Sequence, residues 1–313
     1  MSDAQDKALG IDIGGSSVKL AIIQGADILS RGEPLATQTY ETPEALIEAI
    51  CSSSRKLLAG HPETKAAGAG LPGFVNYFTG MVDSLTNIAG WHNINIRDIL
   101  SAALGLPVAA DNDANCMAYA EWKLGAGKGY RDLVCLTLGT GVGSGIIVNG
   151  ALLRGHLGAA GELGQTCIDY RGRVGHYGNR GALEDYIGNR ELSADAQISY
   201  ASAGMARTLE ECSPAALEKN ARDGDPIARS VWEHTAQKLA ACLLNCCYIL
   251  NPQAFIIGGG VANARELLFR PLRKHLKAQL YPAHYAALRI LPAHFRNDAG
   301  LIGAGRIALD FCA

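Results

Sequence analysis

The chain has 313 residues, of which 48% are hydrophobic, and a formal net charge of −2. Its length exceeds that of most single hydrophobic cores and predicts two domains. The charge supplies no basic surface for nucleic acid and no polybasic patch for a membrane, so we expect neither as a partner.

The N-terminal segment and the cysteines indicate where the protein resides. Residues 1–7 are polar and lack the apolar stretch of a secretory signal peptide, and no apolar run reaches the length of a membrane span. The 9 cysteines have no regular spacing, and several lie within apolar runs, as Cys135 does. This distribution is typical of buried, reduced thiols. We therefore expect a cytoplasmic protein.

The first elements predicted along the chain are two strands joined by a glycine-rich turn. The strands cover residues 9–13 and 18–23, and the turn between them contains Gly14, Gly15 and Ser16. Glycine carries no Cβ, so such a turn exposes backbone N–H groups to an approaching anion. A single turn of this kind is weak evidence, because ordinary hairpins use the same residues.

Helices and strands then alternate along the chain, which predicts an α/β protein. Thr42 and Pro43 are typical of a helix start, and Gly105 is typical of a helix end. One predicted helix begins at residue 43. The others cover 95–104, 114–124, 227–250 and 300–312. The remaining predicted strands cover 66–71, 106–110, 133–138, 145–148 and 254–257.

The strand–turn–strand pattern of the N-terminus recurs further along the chain. The strands 133–138 and 145–148 flank a second turn, and a third turn follows the strand 254–257. The repeat predicts a duplicated lobe, and phosphate turns on two lobes predict a nucleotide held between them. We place the small lobe at residues 1–112, joined by the C-terminal helix 300–313, and the large lobe at 113–299.

Three polar residues, Asp111, Asn112 and Asp113, separate a predicted strand from the helix 114–124. One such residue is enough to cap the helix, so three leave at least one free. At a helix N-terminus the dipole favours an ionised Asp113, which could orient a bound hydroxyl and take its proton as a phosphoryl group arrives. The alternative is that all three only cap the helix.

Six short motifs occur in a fixed order and together resemble the ROK family of repressors and sugar kinases, especially its glucokinase-like members. They are Asp12-Ile-Gly-Gly, Leu71-Pro-Gly73, Asn112-Asp-Ala-Asn115, Gly139-Thr-Gly141, Gly161-Glu-Leu-Gly164 and Asn251-Pro with Gly258-Gly-Gly260. The resemblance covers residues 9–307. It implies a two-lobed, ribonuclease-H-like (actin/hexokinase) fold with sugar and ATP meeting in a cleft between the lobes. It also implies a homodimer and transfer of the γ-phosphoryl group to the primary hydroxyl of a hexose, with glucose the first sugar to test.

The resemblance further implies a role for individual residues. Asp113 would be the catalytic base. The sugar would be bound by Gly73, Asn87, Asn112, Asp113, Glu162, Gln165 and Glu184. ATP, with its Mg²⁺ near Asp12, would be bound by Asp12, Gly14, Gly15, Ser16, Lys19, Gly139, Thr140, Gly141, Gly258 and Gly259.

The chemistry of the carboxylates supports the sugar site without the resemblance. Ionised carboxylates only accept hydrogen bonds, and a sugar offers several hydroxyl donors. Glutamate is more often a solvated surface residue, but Glu162 lies among glycines, alanines and a leucine, which favours a functional role. We expect Glu184 to lie apart from the phosphate turns, so that it reads the sugar alone.

The chain departs from the family pattern at the zinc site. Most members carry one histidine and three cysteines there, and Gln165, Gly175, Tyr177 and Ala182 occupy those positions here. The nearby His156, Cys167, Asp169 and His176 fit no structural zinc spacing, and the Cys242, Cys246 and Cys247 stripe is typical of a helix core. We expect no zinc and a loop over residues 168–181 that packing and hydrogen bonds must order.

Other functions stay open at this point. The substrate could be fructose, mannose, allose or an N-acetylated amino sugar, and the donor could be polyphosphate. A non-catalytic, sugar-responsive regulator of the same family is a further alternative. Such regulators carry a helix-turn-helix domain before the first glycine turn, and the eleven residues that precede Asp12 are too few for one.

Overall fold

Two sheets with the same strand order form the framework of the molecule. The computed structural model describes residues 5–85, 88 and 90–311. The strands are β1 (Lys7–Ile13), β2 (Ser17–Gln24), β3 (Asp27–Arg31), β4 (Leu35–Ala36), β5 (Ala66–Leu71), β6 (Phe74–Asn76), β7 (Met81–Ser84), β8 (His92–Asn95), β9 (Val108–Asn112), β10 (Leu133–Leu138), β11 (Val142–Val148), β12 (Ala151–Leu152), β13 (Ala254–Gly258) and β14 (Arg289–Pro292). The helices are α1 (Pro43–Ala59), α2 (Ile96–Leu104), α3 (Asp113–Lys123), α4 (Glu184–Ile187), α5 (Asn189–Ser202), α6 (Pro214–Arg222), α7 (Pro226–Leu250), α8 (Glu266–Gln279), α9 (Pro282–Ala287) and α10 (Ala299–Phe311).

The first sheet has the order β3-β2-β1-β5-β9, with β4 beside β2, and the second has the order β12-β11-β10-β13-β14. In each sheet the first three strands of that order pair antiparallel with their neighbours, and the last two are parallel to the central strand. The repeated strand–turn–strand pattern of the sequence therefore corresponds to a repeated topology. A small antiparallel sheet, β6-β7-β8, lies beside the first.

The two faces of β1 carry side chains of different size, which determines what covers each face. Leu9, Ile11 and Ile13 pack on one face with buried residues of α1 and α2. Ala8 lies on the other face with buried residues of α10. On the neighbouring β5, a Cβ on Gly68 would overlap the backbone of α10. Small residues on this face therefore let the C-terminal helix lie directly on the sheet.

Helix α3 lies between the two sheets. One side of it contacts α10, where a Cβ on Gly303 would overlap the carbonyl group of Cys116. The other side carries Met117 and Ala118, which pack in one cluster with residues of β10 and β13. The helix that begins at Asp113 is thus in contact with elements of both halves of the chain.

The helix boundaries follow the sequence signals. The Thr42 side chain caps α1 ahead of Pro43, and Gly105 ends α2 in the left-handed conformation with φ +66°. Asp225 caps α7, and Asn251 ends it with φ +47°. These caps satisfy backbone groups that a helix end leaves unpaired.

The structure tests the expectation that the cysteines are buried. Cys242, Cys246 and Cys247 are buried in the core on α7, as their spacing predicts. Cys167 is exposed, so the expectation of uniformly buried thiols is wrong for this residue, which lies in a surface loop.

Within residues 5–85, 88 and 90–311, no helix has the length and apolar character needed to cross a membrane.

Candidate active site

Three chain segments with polar residues meet at one edge of the first sheet. Strands β1, β5 and β9 run parallel, with Asp12 paired to Gly70 and Leu71 paired to Asn112. Because parallel strands end at the same edge, Asp12, the turn at Gly73 and the start of α3 lie side by side. This is the edge at which α/β sheets bind ligands.

Asn112 and Asp113 have different roles at the start of α3. Asn112 is the cap, because its Oδ1 accepts from the backbone N of Ala114 at 2.9 Å and of Asn115 at 3.2 Å. Its Nδ2 donates to the carbonyl oxygen of Gly73 at 3.2 Å, which ties the two sequence-predicted residues together. Asp113 accepts from Ala114 N at 2.8 Å through Oδ1. We expect its second carboxylate oxygen, Oδ2, to accept from a substrate.

Asp111, the third member of the triplet, is structural. Its side chain is 1% exposed and forms an ion pair at 2.8 Å with Arg154. Arg154 follows β12 in the second half of the chain, and its guanidinium carbon also lies 3.6 Å from the ring centroid of Tyr77. Sequence reasoning did not identify Arg154, because nothing local marks an arginine that pairs 43 residues away.

The pKa of Asp113 is raised to about 7. Burial is the largest cause, followed by the negative charge of Asp12, while the hydrogen bond from Ala114 N acts in the opposite direction. The hydrogen bond from the helix N-terminus favours the ionised form, as predicted, but burial and the charge of Asp12 outweigh it. Near neutral pH the group exchanges its proton readily, which suits a general base.

Hydrogen bonds fix the shape of the first glycine turn, which follows β1 at the same edge of the sheet. Gly14 donates through its N–H to the carbonyl oxygen of Ser17 at 3.0 Å, and Thr37 Oγ1 donates to the carbonyl oxygen of Gly14 at 2.7 Å. Lys19 lies opposite Asp12 in the strand register, with 3.6 Å between Nζ and Oδ2. Burial raises the pKa of Asp12, and Lys19 opposes that shift. A cation and a carboxylate thus flank the turn.

The second and third glycine turns are neighbours on the second sheet. Thr137, just before the second turn, pairs with Gly258 in the third. Gly259 has φ +86°, and a Cβ there would overlap the backbone of Leu138, so only glycine fits this close contact. A groove opens beside the third turn and is lined by Ile257, Gly258, Gly259, Ala262, Asn263, Arg265, Pro292, Ala293, Arg296 and Asn297. Lys19 Nζ donates to the carbonyl oxygen of Asn297 at 3.4 Å, which links the first turn to this groove.

Glu184 lies against the second glycine turn, which contradicts the expectation that it stands apart from it. Its Oε2 accepts from the backbone N of Val142 at 2.8 Å, and a Cβ on Gly141 would overlap that oxygen. Glu184 is the first residue of α4, which begins directly after the loop over residues 168–181. The position of such a short helix depends on loop contacts that the sequence does not reveal.

Two other sequence-predicted sugar residues, Gln165 and Glu162, lie near Glu184. Gln165 Nε2 donates to Glu184 Oε1 at 3.1 Å. Glu162 is exposed as a residue, yet partial burial of its carboxyl group, reinforced by the charge of Glu184, raises its pKa. Its charge also contributes to the raised pKa of Asp113, which places the two carboxylates in one site. Asn87 lies outside the described residues.

Across 5–85, 88 and 90–311, no three or more histidine, cysteine, aspartate or glutamate side chains come together as a metal-binding group. The absence of zinc stays a prediction that elemental analysis of the purified protein tests.

Because Glu184 contacts the second glycine turn, its removal should affect the KM for ATP as well as the KM for the sugar. Losing a charged acceptor from a partly buried site removes ~1.5–3 kcal/mol, so Glu184→Ala should raise the sugar KM roughly ten- to a hundredfold. Because the same carboxylate holds Val142 N, we also expect the ATP KM to rise by a smaller factor. Steady-state kinetics with each substrate varied in turn measures both. An ATP KM that stays constant would show that the turn keeps its shape without Glu184.

Comparisons with known proteins agree with this geometry. The sequence model of the ROK family matches residues 8–310. The glucokinase of Streptomyces coelicolor is 34% identical over 96% of this chain and 97% of its own, and that of Halalkalibacterium halodurans is 35% identical over 95% and 93%. A ROK family glucokinase from Streptomyces griseus, solved with glucose and AMPPNP, has a TM-score of 0.81 at 31% identity over 97% of this chain and 99% of that one. This likeness confirms the predicted two-lobed, actin/hexokinase-type fold. The chain belongs to the ROK family.

Proposed function

We propose that this protein is an ATP-dependent hexose kinase that phosphorylates the primary hydroxyl of glucose. The observation that carries the proposal is Asp113, a carboxylate at the start of α3 whose pKa burial raises to about 7. It lies at the edge where the first sheet presents Asp12 and the Asn112–Gly73 contact. A carboxylate that is neither a cap nor an ion-pair partner has the properties a general base requires.

The reaction follows from that position. The sugar hydroxyl donates its hydrogen bond to Asp113, and the oxygen attacks the γ-phosphorus as its proton passes to the carboxylate. The bond between the γ-phosphorus and the β,γ-bridging oxygen breaks, and ADP leaves with the electron pair. Little covalent chemistry falls to the protein in such a transfer, so positioning and charge stabilisation contribute most of the rate.

The sugar is assigned to the space bounded by Asp113, Glu162 and Glu184. The carboxylates accept from its hydroxyls, and the site rejects analogues that lack one because a buried acceptor is then left unpaired. Asn112, Gly73 and Gln165 complete the same region by the contacts described above.

The nucleotide is assigned to the three glycine turns and the adjoining groove. The turn at Gly14 and the turn at Gly139 offer backbone N–H groups to the phosphates, and the groove beside Gly259 takes the adenosine. Lys19 adds a positive charge at the first turn, where it suits a phosphate. The half-buried carboxylate of Asp12 fits Mg²⁺, an oxygen-seeking cation that would neutralise the phosphate charge when bound with ATP.

The assembly, location and division of the chain belong to the same proposal. We propose a homodimer in the cytoplasm, with one lobe formed by residues 1–112 and 300–313 and the other by 113–299. The packing of α10 on the first sheet supports that division. Analytical ultracentrifugation of the purified chain tests the dimer.

The pKa of Asp113 predicts how activity depends on pH. The base must be unprotonated, so kcat/KM for the sugar should be constant above about pH 8, fall to half at the pKa of about 7, and decrease further at lower pH. One unit below that pKa the expected decrease is about tenfold. The profile is measured with the nucleotide held saturating, so that titration of ATP does not contribute. A profile that stays flat from pH 5.5 to pH 8 would contradict the assignment of the base.

A panel of sugars with ATP and Mg²⁺, followed by ADP release, tests the proposed function. We expect glucose to give the highest kcat/KM among glucose, fructose, mannose, allose and N-acetylated amino sugars. A different preferred sugar would correct the substrate and keep the reaction class. Turnover with polyphosphate but not ATP would correct the donor. Sugar binding without any turnover would favour a non-catalytic regulator and refute the kinase.

A further inference from the structure

A chain of side-chain hydrogen bonds connects the surface loop over residues 168–181 to the second glycine turn. Asn179 Nδ2 donates to the carbonyl oxygen of Gln165 at 3.0 Å and to Gln165 Oε1 at 3.4 Å. Gln165 Nε2 donates to Glu184 Oε1 at 3.1 Å. Glu184 Oε2 accepts from Val142 N at 2.8 Å. Each member therefore constrains the next along the path to the turn.

The direction of these bonds is determined by Glu184. A carboxylate only accepts hydrogen bonds, so the side-chain NH₂ of Gln165 must face it and the Gln165 oxygen must point away. That oxygen then needs a donor, which the side-chain NH₂ of Asn179 supplies. If the Gln165 amide rotated by half a turn, its oxygen would face the carboxylate and its NH₂ would face that of Asn179.

The loop that carries Asn179 is anchored at several points. Backbone pairing joins Cys167 to Ala182 and Val174 to Arg180 across the loop. Gly175 N donates to the carbonyl oxygen of Asn179 at 2.8 Å, which fixes the backbone from which the Asn179 side chain extends.

A second set of contacts holds the loop against helices α5 and α7. Arg173 Nη2 lies 3.0 Å from Asp195 Oδ1 on α5, and Lys238 Nζ on α7 lies 2.8 Å from Asp195 Oδ2. Partial burial acts to raise the pKa of Asp195, but the hydrogen bonds from Lys238 and Arg173 lower it below its usual value. The backbone N of Arg173 also donates to the hydroxyl oxygen of Tyr186 at 3.2 Å. The loop thus has an ionic anchor before Asn179, at Arg173, and backbone pairing on both sides of Asn179.

We propose that Asn179 and Gln165 are positioning residues that hold Glu184 for the sugar without a metal ion. Asn179 fixes the orientation of the Gln165 amide, Gln165 fixes Glu184, and Glu184 couples the sugar site to the nucleotide turn. The inference rests on the proposed function for its kinetic readout, while the hydrogen-bond path stands on the described contacts. The specificity of the site then depends on the Asn179 amide, which acts through Gln165, and on the Gln165 amide, which acts through Glu184.

Two substitutions separate positioning from folding. Asn179→Asp keeps the size of the side chain but sets a carboxylate against the two oxygens of Gln165, which should release the Gln165 amide from Glu184. We expect the sugar KM to rise about tenfold or more with the melting temperature nearly unchanged. Arg180→Ala is the matched control, because Arg180 is exposed and donates only to the carbonyl oxygen of Gly172 within the loop. It should leave the sugar KM within about twofold of wild type.

Gln165→Glu tests the positioning role through the pH dependence of the sugar KM, which a purely structural role of Gln165 would not change. When ionised, the new carboxyl group repels Glu184, and when protonated it can donate to Glu184 as the amide does. The ratio of the variant's sugar KM to that of wild type should therefore increase as the pH rises from about 4 to 8, because an ordinary glutamate titrates at about 4.3 and a neighbouring carboxylate raises that value. Glu162, whose charge reaches Glu184, and Asp113 also titrate. Dividing by the wild-type KM at the same pH corrects for their effect on sugar binding. This variant exchanges one NH₂ for one oxygen, so it remains informative if Asn179→Asp does not fold.

The outcomes distinguish this inference from the proposed function. Wild-type protein that turns over no sugar refutes the function. Active wild-type protein with Asn179→Asp equal to Arg180→Ala, or with a KM ratio for Gln165→Glu that is independent of pH, refutes the positioning role. One tightly bound zinc ion per chain would also refute it, because a metal would then order the loop.

Discussion

Asp113→Asn should lower kcat by ~10²–10⁴ while sugar and ATP still bind, because a positioned general base contributes about that factor. Asparagine keeps the size of the side chain and can still accept from Ala114 N, but it cannot take the proton of the sugar hydroxyl. Steady-state kinetics gives kcat, and calorimetric titration with glucose gives binding. A variant that retains more than about a tenth of wild-type turnover would exclude Asp113 as the base.

The same substitution has an expected effect on stability with a defined sign. The folded-state pKa of Asp113 is about 7, above the ordinary aspartate pKa of 3.8, so folding favours the protonated form. Ionisation above pH 7 therefore destabilises the wild-type fold, and asparagine removes that contribution. The melting temperature of Asp113→Asn should exceed that of wild type at pH 8, with the difference vanishing as the pH approaches 4. This measurement also excludes misfolding as the cause of lost activity.

Arg154→Met should destabilise the fold by ~3–5 kcal/mol, because it leaves the buried carboxylate of Asp111 without its ion-pair partner. Asp111 keeps its hydrogen bonds from Asn112 N at 2.8 Å and Asn115 Nδ2 at 2.9 Å, but these do not replace the charge. For a chain of this size the melting temperature should fall by about 5–10 °C. Because Asp111 adjoins the catalytic segment, kcat should also decrease. Differential scanning calorimetry and kinetics measure the two effects.

A surface ion pair and a double variant serve as controls for Arg154. Arg222→Met breaks a pair with Glu218 in which the Arg222 side chain is 54% exposed, and it should change stability by less than about 1 kcal/mol. Asp111→Asn combined with Arg154→Met removes the uncompensated charge and should recover much of the lost stability. If Arg154→Met were no more destabilising than Arg222→Met, the buried pair would not be what joins the loop after β12 to the first sheet.

The sequence was informative where structure depends on local pattern. The hairpins around Gly14 and Gly139 are predicted by alternating strand and turn residues, and both occur in antiparallel register. The helix from Pro43 and the C-terminal helix α10 are likewise predicted by caps and apolar periodicity. In the triplet at 111–113, Asn112 caps α3, and the role of Asp113 as the base stays a prediction.

The sequence was uninformative where structure depends on long-range contacts. Glu184 lies 42 positions from Val142, the residue whose N–H it accepts, and no local periodicity indicates that contact. The raised pKa of Asp113 depends on burial and on the charge of Asp12, which belongs to a different strand. Burial depends on how helices and sheets close over a residue, so local propensity predicted the start of α3 but not the protonation of its carboxylate.

The most direct test of the central claim is to identify the product formed from glucose and ATP. Incubation with Mg²⁺ and analysis by phosphorus and carbon NMR reveals both the new phosphoester and the carbon that bears it. The account predicts one phosphomonoester on the primary hydroxyl of glucose, formed with equimolar ADP and lost together with activity in Asp113→Asn. Phosphorylation at a secondary hydroxyl, or the same product formed at an undiminished rate by Asp113→Asn, would contradict it.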